Sequence, residues 1–263
     1  ASAAIGRHRV TVSCHREYPP TMALLPIPLA PLALLGLIGV LLFPQPSVAD
    51  GCPDAIVVGV AGSGQTGFGE QAGGVVQSLV ASASRSGLRV EAEALSYPAI
   101  SVSDSLGLVL FTGEYAASVA EGAEELQRVL SEQAASCPST ESVLVGYSQG
   151  AEVIKRAFDD LATAGRIASV VLLADPTRDP DQAGVTRLGD PTAERPGAFG
   201  AIPIPPQLRP VTFDVCAAGD GICERGRFDL SAHVDGYGDV ADEVVPTIVD
   251  RLTASSLRTQ RPR

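Results

Sequence analysis

A buried strand, a G-x-S-x-G turn and a helix follow one another without a break in the middle of the chain. Residues 143–145 are Val-Leu-Val, residues 146–150 read Gly-Tyr-Ser-Gln-Gly, and a helical pattern begins at once. Glycines two before and two after the serine allow a sharp strand-to-helix turn, which leaves Ser148 exposed at the helix N-terminus. The helix dipole and the free N–H groups there favour negative charge. The pattern therefore predicts a nucleophilic serine, with the Gln149 N–H placed to bind an oxyanion.

The rest of the chain alternates short apolar runs, typical of buried strands, with longer periodic stretches, typical of helices. Strands separated by helices predict a parallel sheet covered on both faces, and hence a three-layer α/β/α sandwich. The predicted elements are strand 55–60, helix 70–83, strand 88–95, helix 114–135, strand 142–147, helix 149–164, strand 167–173, strand 211–215 and a helix over 239–252 with a break at Pro246. A long loop rich in Pro, Gly and Asp is predicted for 176–210, and a frayed basic tail for 251–263.

The composition and the N-terminal segment bound the class of protein. With 30 acidic and 19 basic residues, the chain lacks the basic surface of a nucleic-acid binder. Residues 32–43 form an uncharged apolar run that is too short to span a bilayer as a helix. Small residues at Ser47 and Ala49 follow it, as in a secretory cleavage site. We therefore predict a signal peptide with an uncertain upstream segment over 1–49, no stable membrane span, and a single secreted domain over 50–263; an uncleaved N-terminal anchor is the alternative.

One histidine outside residues 1–49 is available to activate the serine. The chain has three histidines, and two of them lie in the predicted signal region, which leaves His233. A serine hydroxyl needs such a base, and the base needs a carboxylate that orients it. Many carboxylates lie between the serine and the histidine. Asp220 is favoured because it follows a predicted strand and lies between Cys216 and Cys223, although Asp-Gly is also a common turn pair.

Four cysteines lie outside residues 1–49, and an even number in an exported chain indicates disulfides. They are Cys52, Cys137, Cys216 and Cys223, and four cysteines allow three pairings. The short spacing favours a local loop closed by the last two. No C-x-x-C pair occurs, so the cysteines give little support to a zinc site.

Taken in order, these motifs resemble those of the cutinase family of serine esterases, over residues 52–252. The matching pieces are Gly-Ser-Gly at 62–64, Tyr-Pro-Ala at 97–99, Tyr115 with Ser118, Val119 and Gly122, the Gly-Tyr-Ser-Gln-Gly motif at 146–150, Asp-Gly-Ile-Cys at 220–223, and His233. Two positions depart from the family pattern. The family usually has an arginine where this chain has Ala61, and an acidic residue where it has Gln65.

The resemblance implies an α/β-hydrolase fold and a secreted carboxylic ester hydrolase, similar to cutinases and lipases, that forms an acyl-enzyme without metal or cofactor. It implies a catalytic triad of Ser148, Asp220 and His233. It also implies an oxyanion hole built from the N–H groups of Ser63 and Gln149. An ester or lipid is then the expected substrate, and the expected protein is a monomer that binds no nucleic acid.

The resemblance further implies that the cysteines pair as Cys52–Cys137 and Cys216–Cys223. The second pairing would fix the loop that carries the triad aspartate, which has little apolar core of its own. The first would tie the start of the domain to the end of a central helix.

Three apolar residues are candidates for the groove that receives the acyl chain. Phe228 and Leu230 lie between the triad aspartate and histidine, so the same loop carries them to the site. Phe199 lies in a long Pro-rich segment over 191–207, where it is equally placed to line the groove or to cap the core.

Two other functions stay open at this point. Residues 62–67 read Gly-Ser-Gly-Gln-Thr-Gly between a strand and a helix, which is the pattern of a Rossmann-type dinucleotide-binding loop. Glu91 and Glu93 lie on the next strand, where a ribose-binding acid would be. The second alternative is a binding module that keeps the hydrolase fold without activity. An organophosphate separates an esterase from both, because only an activated serine reacts with it.

Overall fold

The computed structural model describes residues 51–102, 113–161, 166–190, 192–226 and 229–259. Within them the strands are β1 (Ala55–Val60), β2 (Val90–Ala94), β3 (Glu141–Tyr147), β4 (Arg166–Leu173), β5 (Thr186–Gly189) and β6 (Thr212–Cys216). The helices are α1 (Glu70–Arg85), α2 (Glu114–Ser136), α3 (Gln149–Leu161), α4 (Leu230–Asp235) and α5 (Val240–Thr259), with a 3-10 turn at Arg209–Val211. Each strand and helix predicted from the sequence is present; β1 has the predicted ends, and most of the others differ by a few residues at one or both ends.

The strands form one parallel sheet in the order β2-β1-β3-β4-β6-β5. β1 lies between β2 and β3, with Val57 opposite Ala92 on one side and Val143 on the other. Parallel neighbours need a crossover connection, and helices supply it between β1 and β2 and between β3 and β4. The sheet confirms the predicted α/β class.

Successive side chains of β1 point to opposite faces of the sheet, and both faces are buried. Ala55 and Val57 belong to one apolar core, which the sheet shares with α1 and α5. Ile56, Val58 and Val60 belong to a second core, shared with α2 and α3. A strand buried on both sides reads as an unbroken apolar run, which is why the sequence predicted its ends correctly.

The C-terminal helix corrects two predictions. α5 does not break at Pro246, and it continues to Thr259, so most of the predicted frayed tail is helical. The proline lies on the exposed face of the helix, while Ile248 and other buried apolar residues hold the helix on the sheet. Arg251 lies over the Phe213 ring, 5.1 Å from its centroid. None of the described helices is long and apolar enough to cross a bilayer.

The segment between β4 and β6 corrects a third prediction, because it is not entirely loop. Thr186–Gly189 forms β5, which pairs in parallel with β6 at the edge of the sheet. The strand was not predicted because its four residues include only one large apolar side chain, so they show no alternation of apolar and polar residues. Gly189 is required there, since a Cβ on it would lie 2.2 Å from the Cys216 carbonyl oxygen.

Two disulfides connect elements of this fold. Cys52, just before β1, is bonded to Cys137 at the end of α2, across a sequence separation of 85 residues. Cys216, the last residue of β6, is bonded to Cys223 across a separation of 7 residues. These are the pairings that the family resemblance implied.

Candidate active site

Ser148 lies on a strained turn between β3 and α3. Its φ is 53°, in the left-handed region that a residue with a Cβ rarely adopts. Its N–H donates to the Leu173 carbonyl on β4 at 2.8 Å, and its carbonyl accepts from the N–H groups of Ala151 and Glu152 at 3.0 and 3.2 Å. The sheet before the turn and the helix after it therefore hold the serine in place. Its side chain is partly exposed, whereas the next residue, Gln149, is fully buried.

Close backbone contacts require both glycines of the motif. A Cβ on Gly146 would lie 2.6 Å from the Gly150 carbonyl oxygen, and a Cβ on Gly150 would lie 2.2 Å from the Val60 carbonyl oxygen. Real Cβ atoms essentially never come so close, so replacing either glycine by a residue with a Cβ would force the backbone to move. The second contact also brings the end of β1 against the serine turn.

The loop that follows β1 lies beside the same turn. A Cβ on Gly62 would lie 2.6 Å from Cδ1 of Tyr147, which immediately precedes the serine. The next residue is Ser63, and after it the Gly64 N–H donates to the Ala99 carbonyl at 2.6 Å. The structure thus brings the predicted oxyanion loop to the predicted nucleophile.

His233 and Asp220 form a hydrogen-bonded pair. Nδ1 of His233 lies 2.9 Å from Oδ2 of Asp220, whose side chain is fully buried. The Ile222 N–H donates to Oδ1 at 2.8 Å, and the Tyr237 hydroxyl donates to Oδ2 at 2.5 Å. Because an ionised carboxylate can only accept, it selects the tautomer with the proton on Nδ1. The other ring nitrogen, Nε2, is then free to act as a base.

Tyr147, the residue before Ser148, contacts the histidine. The rings of Tyr147 and His233 are stacked, with centroids 5.1 Å apart and an interplanar angle of 28°. The Tyr147 hydroxyl donates to the His233 carbonyl at 2.8 Å. Tyr147 also meets Tyr237 edge-on, with centroids 5.8 Å apart. The side chain next to Ser148 therefore contacts both His233 and Tyr237, the tyrosine that donates a hydrogen bond to Asp220.

The histidine lies on α4, a six-residue helix that was not predicted from the sequence. No residue of this helix is buried, so hydrogen bonds at its ends hold it in place. Asp229 caps its N-terminus, because its carboxylate accepts from the N–H groups of Ser231 and Ala232 at 2.9 and 3.3 Å. A helix of less than two turns shows no periodicity that a sequence reader can recognise.

The two tyrosines were not singled out from the sequence either. Burial and the neighbouring Asp220 raise the pKa of Tyr237 well above its ordinary value, so its hydroxyl stays protonated and donates to the carboxylate. Burial likewise raises the pKa of Tyr147. The place of Tyr147 inside the serine motif is the one signal that could have pointed to it. For Tyr237 the sequence offers no such signal, because a tyrosine four residues after a histidine is not part of a general motif.

The three predicted groove residues have different outcomes. Phe228 lies outside the residues that the structure describes. Leu230 is the first residue of α4, three before His233, and it is 62% exposed. Phe199 packs edge-on against Tyr115, with centroids 5.3 Å apart, and lines a cavity of about 700 Å³ between α2 and α3. A role in binding the acyl chain stays a prediction for all three.

A parallel sheet sandwiched by helices, with a serine on the strand-to-helix turn, defines the α/β-hydrolase class. A family model described as Cutinase matches residues 51–252. The chain therefore belongs to the cutinase family. The match confirms the predicted family and, with it, the predicted class of enzyme, an ester hydrolase.

Individual relatives agree with this assignment. The chain is 30% identical over 210 residues to Phospholipase Culp4 of Mycobacterium tuberculosis. The aligned region covers 79% of this chain and 82% of the relative. The chain is also 30% identical over 190 residues to Carboxylesterase Culp1 of Mycobacterium bovis, covering 71% and 75%. Among solved structures, an acetylxylan esterase superposes with a TM-score of 0.60 at 23% identity, over 76% of this chain and 99% of that one. This last similarity supports the fold.

The two disulfides should affect stability and activity in opposite order. Replacing Cys52 and Cys137 by alanine opens the longer loop and should lower the free energy of unfolding by about 4–5 kcal/mol. Replacing Cys216 and Cys223 opens the shorter loop and should cost only about 2–3 kcal/mol. That second change frees the Asp220 loop, so we expect it to lower kcat for an ester by about tenfold or more. Urea unfolding and ester hydrolysis, measured on both double variants, check the prediction. It would be contradicted if loss of the Cys216–Cys223 bond lowered kcat no more than loss of the Cys52–Cys137 bond.

Proposed function

We propose that the protein is a secreted carboxylic ester hydrolase that acts through Ser148, His233 and Asp220 and an acyl-enzyme intermediate. The observation that carries the proposal is the 2.9 Å hydrogen bond between His233 and Asp220. The ring of His233 also stacks on that of Tyr147. A strained, partly exposed serine follows that tyrosine directly. A serine, a base and a carboxylate that orients the base are the three parts of acyl transfer by a serine hydrolase.

The chemistry follows from the placement of these groups. Nε2 of His233 takes the proton of the Ser148 hydroxyl while Oγ attacks the ester carbonyl carbon. Asp220 stabilises the imidazolium, and the N–H groups of Ser63 and Gln149 donate to the oxyanion of the tetrahedral intermediate. The C–O bond to the alcohol then breaks, and the alcohol leaves with the proton from His233. Water, deprotonated by the same histidine, attacks the acyl-enzyme and releases the carboxylic acid and the free serine.

An apolar patch beside the histidine supports an ester with an apolar acyl part. Leu230 and Val234 are four residues apart on α4, so they share one face of the helix. Their exposed fractions are 62% and 44%, so the two side chains together present an apolar surface to solvent beside His233. We infer that an aliphatic chain lies along this face, as it would in a fatty-acid ester or a lipid. The relatives named phospholipase and carboxylesterase are compatible with such a substrate.

Export belongs to the same proposal. Residues 1–49 would be removed as a signal, and residues 50–263 would form one catalytic domain, predicted to be a monomer. The two disulfides support this, because disulfides form and persist in oxidising compartments.

The dinucleotide alternative loses its main argument in this arrangement. Gly62, the first glycine of the loop at 62–67, packs against the residue that precedes Ser148, so this glycine has a role in the hydrolase site. Gly62 makes room for the Tyr147 ring. A dinucleotide-binding protein would instead leave this glycine open to a pyrophosphate.

A series of p-nitrophenyl esters from acetate to octanoate tests the proposal. We expect turnover preceded by a burst of about one p-nitrophenol per chain where deacylation limits the rate, because acylation releases the phenol first. We expect kcat/KM to rise with chain length, and Leu230→Ser to lower it for octanoate by about threefold to tenfold, more than for acetate. A folded, disulfide-bonded protein without turnover would contradict the proposal, and NAD titration would then test the dinucleotide alternative.

A further inference from the structure

Two glutamine side chains connect the loop after β1 to helix α4. The Gly62 N–H donates to Oε1 of Gln65 at 2.8 Å. Nε2 of Gln65 donates to Oε1 of Gln71 at 2.8 Å, and Nε2 of Gln71 donates to the Val234 carbonyl at 2.8 Å. Gln71 is buried in the first turn of α1. These three hydrogen bonds, through Gln65 and Gln71, are called the amide relay below.

The two ends of the amide relay fix the orientation of both amides. The Gly62 N–H can only donate, and the Val234 carbonyl can only accept. Each glutamine must therefore accept on one side and donate on the other, which a neutral amide does in a single orientation. An ionised carboxylate cannot donate, so a glutamate at either position would interrupt the relay. At position 65, where the family usually has an acidic residue, this chain has the amide that the relay requires.

The loop is built closely around the first amide. A Cβ on Gly69, whose φ is +68°, would lie 2.3 Å from Oε1 of Gln65. A Cβ on Gly62 would lie 3.2 Å from the same oxygen. The amide of Gln65 fits into the loop because Gly62 and Gly69 on either side of it have no side chains. The close fit leaves Gln65 little room to move.

At its other end the amide relay reaches a helix that has few other supports. The last carbonyls of any helix lack partners within the helix, and α4 buries none of its residues. Tyr147 donates to the carbonyl of His233, and Gln71 donates to that of Val234. Two adjacent carbonyls are thus held from two different elements, and the first of them belongs to the residue with the reacting imidazole.

We propose that Gln65 and Gln71 are positioning residues. The amide relay holds the oxyanion loop and the His233 helix at a fixed separation, so that the N–H of Ser63 and the imidazole act on the same ester carbonyl. This inference rests on the proposed function. Because the links are in series, losing either glutamine disconnects the two halves of the site.

The test is a double-mutant cycle of Gln65→Ala, Gln71→Ala and the variant with both changes. kcat and KM for p-nitrophenyl butyrate are measured per reactive serine, counted by phosphonate titration. We expect each single change to lower kcat by about tenfold with KM within about twofold, because a small misplacement of reacting groups slows the chemical step. The double variant should lose no more than either single one. Gln77→Ala, an exposed glutamine on α1, is the control and should match the wild type.

Gln71→Glu is the sharpest single variant, because it keeps the size and the acceptor but removes the donor to Val234. We expect it to match Gln71→Ala in kcat. Losses that multiply to about a hundredfold in the double variant would indicate two independent roles and overturn the amide relay. A wild-type kcat for Gln71→Glu would also overturn it and leave the proposed function intact. No turnover by the wild type would overturn both.

Discussion

Replacing Ser148 by alanine should lower kcat for p-nitrophenyl esters by about 10⁴- to 10⁶-fold, as loss of the nucleophile does in other serine hydrolases. The free energy of unfolding should change by less than about 1 kcal/mol. Alanine keeps the Cβ, so the strain of a turn with φ of 53° is the same in both proteins. Steady-state turnover and urea unfolding of the two proteins provide the measurement.

Ser78→Ala is the matched control for this prediction. Ser78 is an exposed serine on α1, so its loss should change neither kcat nor stability. A Ser148→Ala protein that keeps more than about a tenth of wild-type turnover would place the nucleophile on another residue.

Replacing Asp220 by asparagine should lower kcat by about 10⁴-fold. Both carboxylate oxygens face donors: Oδ1 accepts from the Ile222 N–H, and Oδ2 accepts from His233 and from the Tyr237 hydroxyl. An amide has one oxygen, so its NH₂ group meets a donor in either orientation. If that group faces the imidazole, it selects the tautomer that carries the proton on Nε2, and the base is lost. Ester turnover, with KM measured separately, checks the result.

Two companion variants separate this mechanism from simple loss of charge. Asp235→Asn changes an exposed carboxylate on the same helix as the histidine, and it should behave as the wild type. Tyr237→Phe removes one of the two donors to Oδ2, and we expect a loss of about tenfold, from the energy of one hydrogen bond to a charged group. An Asp220→Asn protein within about tenfold of wild-type kcat would show that another group orients His233.

The sequence predicted the features whose signals are local. β1 reads as an unbroken apolar run because both of its faces are buried. Gly146 and Gly150 carry a recognisable motif because backbone contacts exclude any side chain at either position. His233 was predicted from a count of imidazoles, and Asp220 from its place between two cysteines together with the family resemblance. The structure pairs the two side chains, and their catalytic roles stay predictions.

What the sequence did not reveal depends on packing between distant segments. Pro246 disfavours a helix locally, but apolar burial on both sides of it outweighs that preference. α4 is too short for periodicity and is held by hydrogen bonds from other elements. Gln71 contacts the carbonyl of a residue 163 positions away, and no motif indicates such a pairing.

The most direct test of the central claim is covalent labelling of the wild-type protein with diethyl p-nitrophenyl phosphate, followed by intact-mass analysis and peptide mapping. Attack by an activated serine forms an O–P bond and releases p-nitrophenolate. We expect one diethylphosphoryl group per chain, on Ser148, with esterase activity lost in proportion, and no labelling of Ser148→Ala. A folded protein that takes up no label, or that carries it on another residue, would contradict the assignment of Ser148 as an activated nucleophile.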